Sequence, residues 1–198
     1  MPLSPQVREL LLQALEHERG GVLVYQTALE CVVHESLREE WEKYLAQTAT
    51  HVEALTEACM ELGLDPDAMT PGRQIVRHNG SSLVVAMKMA LAAEDRAAAE
   101  LVACDAVVLA ETKDHANWQL IGECARNLDG PANAALLRAY EQVEDEEDEH
   151  LYHSRGWCRE LWMAALGMKA KLPPPEEERN VKSAAEAAEV ESERTSHG

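Results

Sequence analysis

The chain has 198 residues, a length that fits one domain with a substantial apolar core. Its 36 acidic residues outnumber its 18 lysines and arginines and give a formal charge of -18, which excludes the basic surface that nucleic acids require. No apolar run has the length of a membrane span, and the N-terminal segment lacks the pattern of a signal peptide. We therefore expect a cytoplasmic protein with no nucleic acid or membrane partner.

Helix-forming residues dominate the composition and predict an all-α fold. Ala, Leu, Glu, Met, Arg and Lys are abundant, Phe is absent, and runs of alternating β-branched residues are missing. The 5 cysteines are widely spaced and form no CxxC pair, a pattern typical of reduced, buried thiols rather than of a disulfide framework.

The first two helices form the first predicted pair. Apolar residues at three- and four-residue steps predict a helix over 5–33, interrupted by Gly20 and Gly21, which indicate either close approach of another backbone or simple tolerance. A capping box from Ser36 to Glu39 predicts the start of the second helix, and Gly63 predicts its end.

A long connection separates this pair from the second pair. Prolines, glycines and an asparagine within 65–82 predict turns around one short helix over 71–78. The chain then reads as helical from 81 or 82 to 128, with a bend expected within 92–99. Gly130 serves as a C-cap glycine, Pro131 opens the last helix, and this helix runs to about 167.

These segments predict the ferritin-like four-helix bundle, in which two antiparallel hairpins are joined by a long crossover that here contains extra helical segments. The predicted domain covers 1–172. The remaining segment, 173–198, is acidic and polar, so we expect a disordered tail rather than a helix docked on a partner.

Several polar residues continue the apolar stripes of the predicted helices. Charges at such positions are costly unless they are paired or bind a metal. Residues equidistant from a hairpin turn lie at the same height, so Glu18 is level with His51 and Glu111 is level with His150. The two pairs are then expected to meet in one mid-bundle layer. The predicted metal ligands are Glu18, His51, Glu111, Glu147 and His150.

The ligand set matches the di-metal arrangement of helical bundles except on the second helix. The last helix supplies Glu147-x-x-His150, but the residue three before His51 is Thr48. The remaining candidates stay open as alternatives: Gln47, Asp114, His115 and Glu144.

Other aromatic and imidazole side chains receive simpler interpretations. Tyr25 and Trp118 each lie seven residues after a predicted ligand, where core packing is preferred over a role beside the metals. Four histidines are assigned to turns or to the surface: His34, His78, His153 and His197.

The segments LREEWEKYLAQTATHVEALTEACMELGLDP and AETKDHANWQLIGECARNLDGPANAALL resemble the bacterial YciE/YciF-type ferritin-like proteins, and rubrerythrin more distantly. In this resemblance Gln47 replaces a glutamate of the family, whereas Glu111 and Asp114 match two of its glutamates and Trp118 replaces a tyrosine. The resemblance covers roughly residues 16–161. It implies a four-helix bundle, a homodimer, a stress-associated role and di-iron or di-manganese chemistry.

Carboxylates with a few imidazoles suit two Fe or Mn ions, with Zn as the ion to be expected in purified protein. The leading hypothesis is a di-metal protein that handles peroxide, dioxygen or iron, and the enzyme class under consideration is a di-iron or di-manganese oxidoreductase. One alternative is a metal-depleted bundle that acts as a scaffold or interaction protein. An iron-storage cage is the weaker third hypothesis.

Overall fold

The computed structural model describes residues 3–196 and the side chains of 3–194, and this part of the chain is helical without a β-strand. The all-α prediction is thereby confirmed. The helices are α1 (Pro5–Cys31), α2 (Glu35–Glu61), α3 (Pro71–Ala92), α4 (Arg96–Asn127), α5 (Pro131–Ala165), α6 (Pro175–Glu178) and α7 (Ala184–Ser196).

Short polar side chains begin three of the long helices. The side chains of Ser4, Thr70 and Asp95 each accept a hydrogen bond from the backbone N–H three residues ahead, at 3.2, 3.1 and 3.0 Å. The predicted capping box at Ser36 is wrong. α2 begins one residue earlier, with His34 at the cap position and no side-chain cap bond.

The connection between α2 and α4 is more helical than expected. α3 runs unbroken through Asn79 and Gly80, where the sequence indicated turns. A Cβ built on Gly80 would lie 3.8 Å from the Gly20 Cα, an ordinary van der Waals distance, so α1 and α3 approach closely there in a packing that would still accommodate a Cβ at Gly80. The bend predicted within 92–99 is confirmed between α3 and α4, where Glu94 adopts a φ of 61°.

Four helices surround the interior. α1 packs against α2 and α4, α5 packs against α4 and α2, and α3 covers α1 and α4 from outside. The interior contains two apolar clusters: one includes Tyr25, Trp41 and Trp157, and the other includes Leu15, Leu55 and Leu136. The residues predicted as ligands lie outside both clusters. None of the described helices combines the length and apolarity needed to cross a membrane.

The segment after residue 172 differs from the expected disordered tail. α6 and α7 fold back, and Val181 and Val190 are buried against Leu151 and Tyr152 of α5. Ion pairs reinforce this contact: Arg159 with Glu176 at 2.6 Å and Arg194 with Glu160 at 2.8 Å. Composition alone missed this docking because two valines and a few ion pairs are enough to bind a short segment to an existing surface.

Candidate metal centre

Five predicted ligands converge between α1, α2, α4 and α5, and all are at most 3% exposed. His51 Nδ1 lies 3.0 Å from Glu147 Oε1 and 3.6 Å from Glu18 Oε1. His150 Nδ1 lies 3.6 Å from Glu111 Oε2 and 3.8 Å from Glu147 Oε1. The pairing of Glu18 with His51 and of Glu111 with His150 agrees with the heights calculated from the two hairpin turns.

Asp114, one of the open alternatives, completes the cluster. Its side chain is 4% exposed and lies one helical turn beyond Glu111 on α4. Ligand atoms of Glu18, Asp114 and Glu147 lie within 4.8 Å of one another, and so do those of His51, Glu147 and His150. Glu147 belongs to both groups. We call these residues, together with Glu111, the central cluster.

Four buried carboxylate oxygens in the central cluster have no hydrogen-bond partner among the described residues: Glu18 Oε2, Glu111 Oε2, Asp114 Oδ1 and Glu147 Oε2. A buried acceptor without a partner carries its desolvation cost uncompensated, about 1–3 kcal/mol each and more when it is charged. Cations would satisfy these oxygens. The donor set therefore fits a bound metal.

Neighbouring side chains orient both imidazoles. Glu146 Oε2 lies 2.7 Å from His51 Nε2, and Gln47 Oε1 lies 3.0 Å from His150 Nε2. Because an amide oxygen only accepts, His150 must donate its Nε2–H, which leaves the Nδ1 lone pair facing the cluster. Gln47 thus positions a ligand, which is the arrangement typical of metal-binding histidines.

Two aromatic side chains also bind the carboxylates. The Tyr25 hydroxyl of α1 donates to Glu111 Oε1 at 2.8 Å, and Trp118 Nε1 of α4 donates to Glu18 Oε1 at 2.6 Å. Core packing alone is therefore an incomplete interpretation of Tyr25 and Trp118. Each aromatic comes from one hairpin and holds an acid of the other hairpin.

The other open alternatives lie outside the central cluster. His115 Nε2 is 2.6 Å from Asp148 Oδ1, and Glu144 lies on the same side of α5. Both line a polar cavity of about 290 Å³ that reaches Glu147 and Trp118. The cavity reaches Glu147 of the central cluster, and it has room for an ion or a small molecule.

The four histidines that were assigned to turns or to the surface differ in their positions in the structure. His153, which was assigned to the surface or a turn, is 1% exposed, so that assignment is wrong. His34 caps α2 and pairs with Glu100 at 2.8 Å. His78 is exposed on α3, which agrees with its assignment to the surface. His197 lies outside the described residues.

Burial and mutual repulsion dominate the electrostatics of the central cluster. Burial and the nearby carboxylates raise the pKa of Asp114 well above its ordinary value. Burial also raises the pKa of Glu147, although His51 opposes the effect. Burial lowers the pKa of His51, but Glu147 and Glu18 outweigh it and raise that pKa to about 11. Without a metal, the cluster therefore holds protons that a cation would have to displace.

The stability of metal-free protein should fall as the pH rises. A raised His51 pKa contributes stability that is complete below the unfolded value of 6.5 and is lost as the pH rises through about 11. The raised pKa values of Asp114 and Glu147 also make the folded state less stable as the pH rises. We expect the melting temperature of chelator-treated protein to decline across this window, by about 2–4 °C per kcal/mol.

The matched control for this pH dependence is His51→Gln, whose metal-free melting temperature should change less over the same range. A metal-free wild-type profile that rises from pH 6.5 to 11 would contradict the electrostatic arrangement described above.

Comparison of the chain with models of known protein families, with curated proteins and with solved structures gave no match. The inference of function therefore rests on the geometry of the central cluster.

Proposed function

We propose that the chain is a ferritin-like four-helix-bundle protein that binds two Fe or Mn ions and reduces peroxide or dioxygen. The observation that carries the proposal is the position of Glu147, whose carboxylate belongs to both three-ligand groups. Such a carboxylate would be a ligand common to two ions, of which one would be held with His51 and His150 and the other with Glu18 and Asp114.

The donor set supports Fe or Mn over a metal that prefers thiolates. It contains carboxylates and two imidazoles, and the 5 cysteines are free thiols outside it. Two reduced ions would supply the two electrons that, with two protons, convert one hydrogen peroxide into two waters. Zn is the ion expected to occupy the same donors after purification.

The chain's own groups fit this chemistry. Tyr25 keeps its proton because burial and the Glu111 carboxylate raise its pKa well above the ordinary value. Its hydroxyl therefore remains a donor that fixes the orientation of Glu111. The apolar clusters exclude bulk water from the interior, and the polar cavity beside Glu147 has room for peroxide, dioxygen or a small cation.

The experiment is elemental analysis of protein purified without chelator and of protein loaded anaerobically with Fe(II) or Mn(II). We expect about two ions per chain that depend on the central cluster, as in dinuclear carboxylate bundles. Addition of peroxide to the loaded protein should oxidise Fe(II) with one peroxide consumed per pair of ions. Protein that binds no ion after loading would refute the proposal.

A metal-free scaffold is the second candidate. Two observations favour it. Tyr25 and Trp118 already donate hydrogen bonds to Glu111 and Glu18, so these acids have partners within the protein. Gln47, a neutral side chain, stands where a charged ligand is expected. This candidate predicts a central cluster that remains without metal after loading. The mass of the assembly in solution distinguishes the predicted homodimer from an iron-storage cage, because the two differ many-fold in mass.

A further inference from the structure

A second group of acidic and imidazole side chains lies next to the central cluster. Glu40 of α2 and Glu149 and His153 of α5 each offer a ligand atom, and these atoms lie within 4.8 Å of one another. Their side chains are 13%, 5% and 2% exposed. None of the three is a member of the central cluster. We call this group the Glu40 cluster.

Two buried atoms of the Glu40 cluster lack a hydrogen-bond partner within the described part of the chain. They are His153 Nε2 and Glu40 Oε2. The other imidazole nitrogen, His153 Nδ1, lies 3.0 Å from the Tyr44 hydroxyl. His153 Nδ1 also lies 3.8 Å from Glu40 Oε1. An imidazole that is almost fully buried, close to a carboxylate and left with one unpartnered nitrogen has the setting of a metal ligand.

The charges around the Glu40 cluster act in both directions: Glu40 attracts a cation, and two ammonium groups compete for Glu149. Burial raises the pKa of Glu40, but His153, Tyr44 and Lys43 outweigh it and hold that pKa below its ordinary value. Glu40 is therefore a carboxylate at neutral pH. Lys43 forms an ion pair with Glu149, and Lys182 lies 3.3 Å from its other oxygen. These ammonium groups neutralise Glu149, and an entering metal ion must compete with them.

We propose that Glu40, Glu149 and His153 form a separate binding site for one divalent first-row transition metal ion. Two carboxylates and one imidazole are donors that Zn²⁺, Mn²⁺ and Fe²⁺ share. Tyr44 lies between the two sites, because its hydroxyl bonds His153 and its ring centroid is 4.2 Å from that of His150. The proposal does not depend on the chemistry proposed for the central cluster.

The test is the number of Zn²⁺ ions retained per chain in equilibrium dialysis. The variants are Glu40→Gln and His153→Gln, each made in the wild type and in Glu147→Ala, which removes the shared carboxylate of the central cluster. Glu39→Gln is the matched control, because it makes the same change of charge at the neighbouring exposed position. Circular dichroism and thermal melting establish that each variant is folded.

We expect Glu147→Ala to retain one Zn²⁺ per chain and to lose it when Glu40→Gln or His153→Gln is added. In the wild type each of these changes should remove one ion, and Glu39→Gln should remove none. Equal zinc content in Glu147→Ala with and without His153→Gln would overturn the proposal. Wild-type protein that binds one ion, sensitive to His153→Gln but not to Glu147→Ala, would support this site and refute the central one.

A substitution of Lys43 should change zinc binding in the opposite direction from the substitutions of Glu40 and His153. Lys43→Gln removes a cation that competes for Glu149, so zinc affinity at this site should increase, by up to about fivefold for a partly exposed ion pair. Lys88→Gln, at an exposed position of α3, should leave the affinity unchanged. Weaker binding in Lys43→Gln than in Lys88→Gln would mean that Lys43 supports the cluster and would contradict the proposal.

Discussion

Glu147→Ala should lose the ions of the central cluster, about two per chain in Fe(II)-loaded protein. The reason is geometric, because both three-ligand groups include the Glu147 carboxylate and neither retains three donors without it. Elemental analysis after anaerobic loading measures the loss. The substitution Glu147→Gln should also lower the metal content, since a neutral amide oxygen is a weaker ligand than a carboxylate.

The melting temperature with and without metal distinguishes whether Glu147 acts as a metal ligand or only packs in the interior. A ligand present at 100 times its Kd stabilises a folded protein by about 2.7 kcal/mol, so added metal should raise the wild-type melting temperature. This rise should disappear in Glu147→Gln. The metal-free variant should be at least as stable as metal-free wild type, because burial disfavours the charged form of Glu147 and raises its pKa.

Glu141→Ala is the control for this series, because it removes an exposed carboxylate from the same helix. It should retain the wild-type metal content and the metal-dependent rise in melting temperature. Unchanged metal content in both Glu147 variants would refute the assignment of Glu147 as the shared ligand.

Arg73→Ala should destabilise the protein by about 3–5 kcal/mol, the usual cost of breaking a buried ion pair. Arg73 on α3 is 0% exposed and donates from Nε to Glu16 Oε2 at 3.1 Å. Its Nη1 donates to the carbonyl oxygens of Pro66 and Ala68 at 2.7 and 2.9 Å. Truncation would leave a buried carboxylate and two carbonyls without these donors, and the crossover would lose one of its polar attachments to α1, beside the Thr70–Glu9 hydrogen bond and the Arg77–Glu16 ion pair.

Thermal and urea unfolding measure this effect. The melting temperature of Arg73→Ala should fall by about 10 °C, at about 2–4 °C per kcal/mol for a chain of this size. Arg77→Ala is the matched control: Arg77 Nε also pairs with Glu16, at 2.5 Å, but its side chain is 56% exposed. Its loss should be much smaller, because water screens an exposed ion pair. Equal losses in the two variants would contradict the importance assigned to burial of Arg73.

The periodicity of apolar residues in the sequence was sufficient to predict the four helices that surround the interior and most residues of the central cluster. The stripes on the first, second, fourth and fifth helices placed five polar residues inside, and the equal distances from each turn paired Glu18 with His51 and Glu111 with His150. This worked because a helix rises by a constant amount per residue, so that heights can be calculated from residue numbers in an antiparallel hairpin.

The residues that orient or extend the cluster were harder to predict. Glu146 and Glu149 belong to one acidic run in which some side chain faces every direction, and sequence alone does not show which of them meets α2. A usable signal was present at His153, which follows His150 by three residues and therefore shares its face of the helix. Its partner Tyr44 is a helical turn from Glu40.

The sequence by itself determined the all-helical class, the ends of most helices and the level of the central cluster, because these depend on local propensity and on a fixed helical rise. The tertiary structure alone decided three further features. These are the continuity of α3 through Gly80, the docking of α6 and α7 on α5, and the meeting of Glu40 with His153. Each depends on how two surfaces distant in the sequence come together, and no local pattern contains that information.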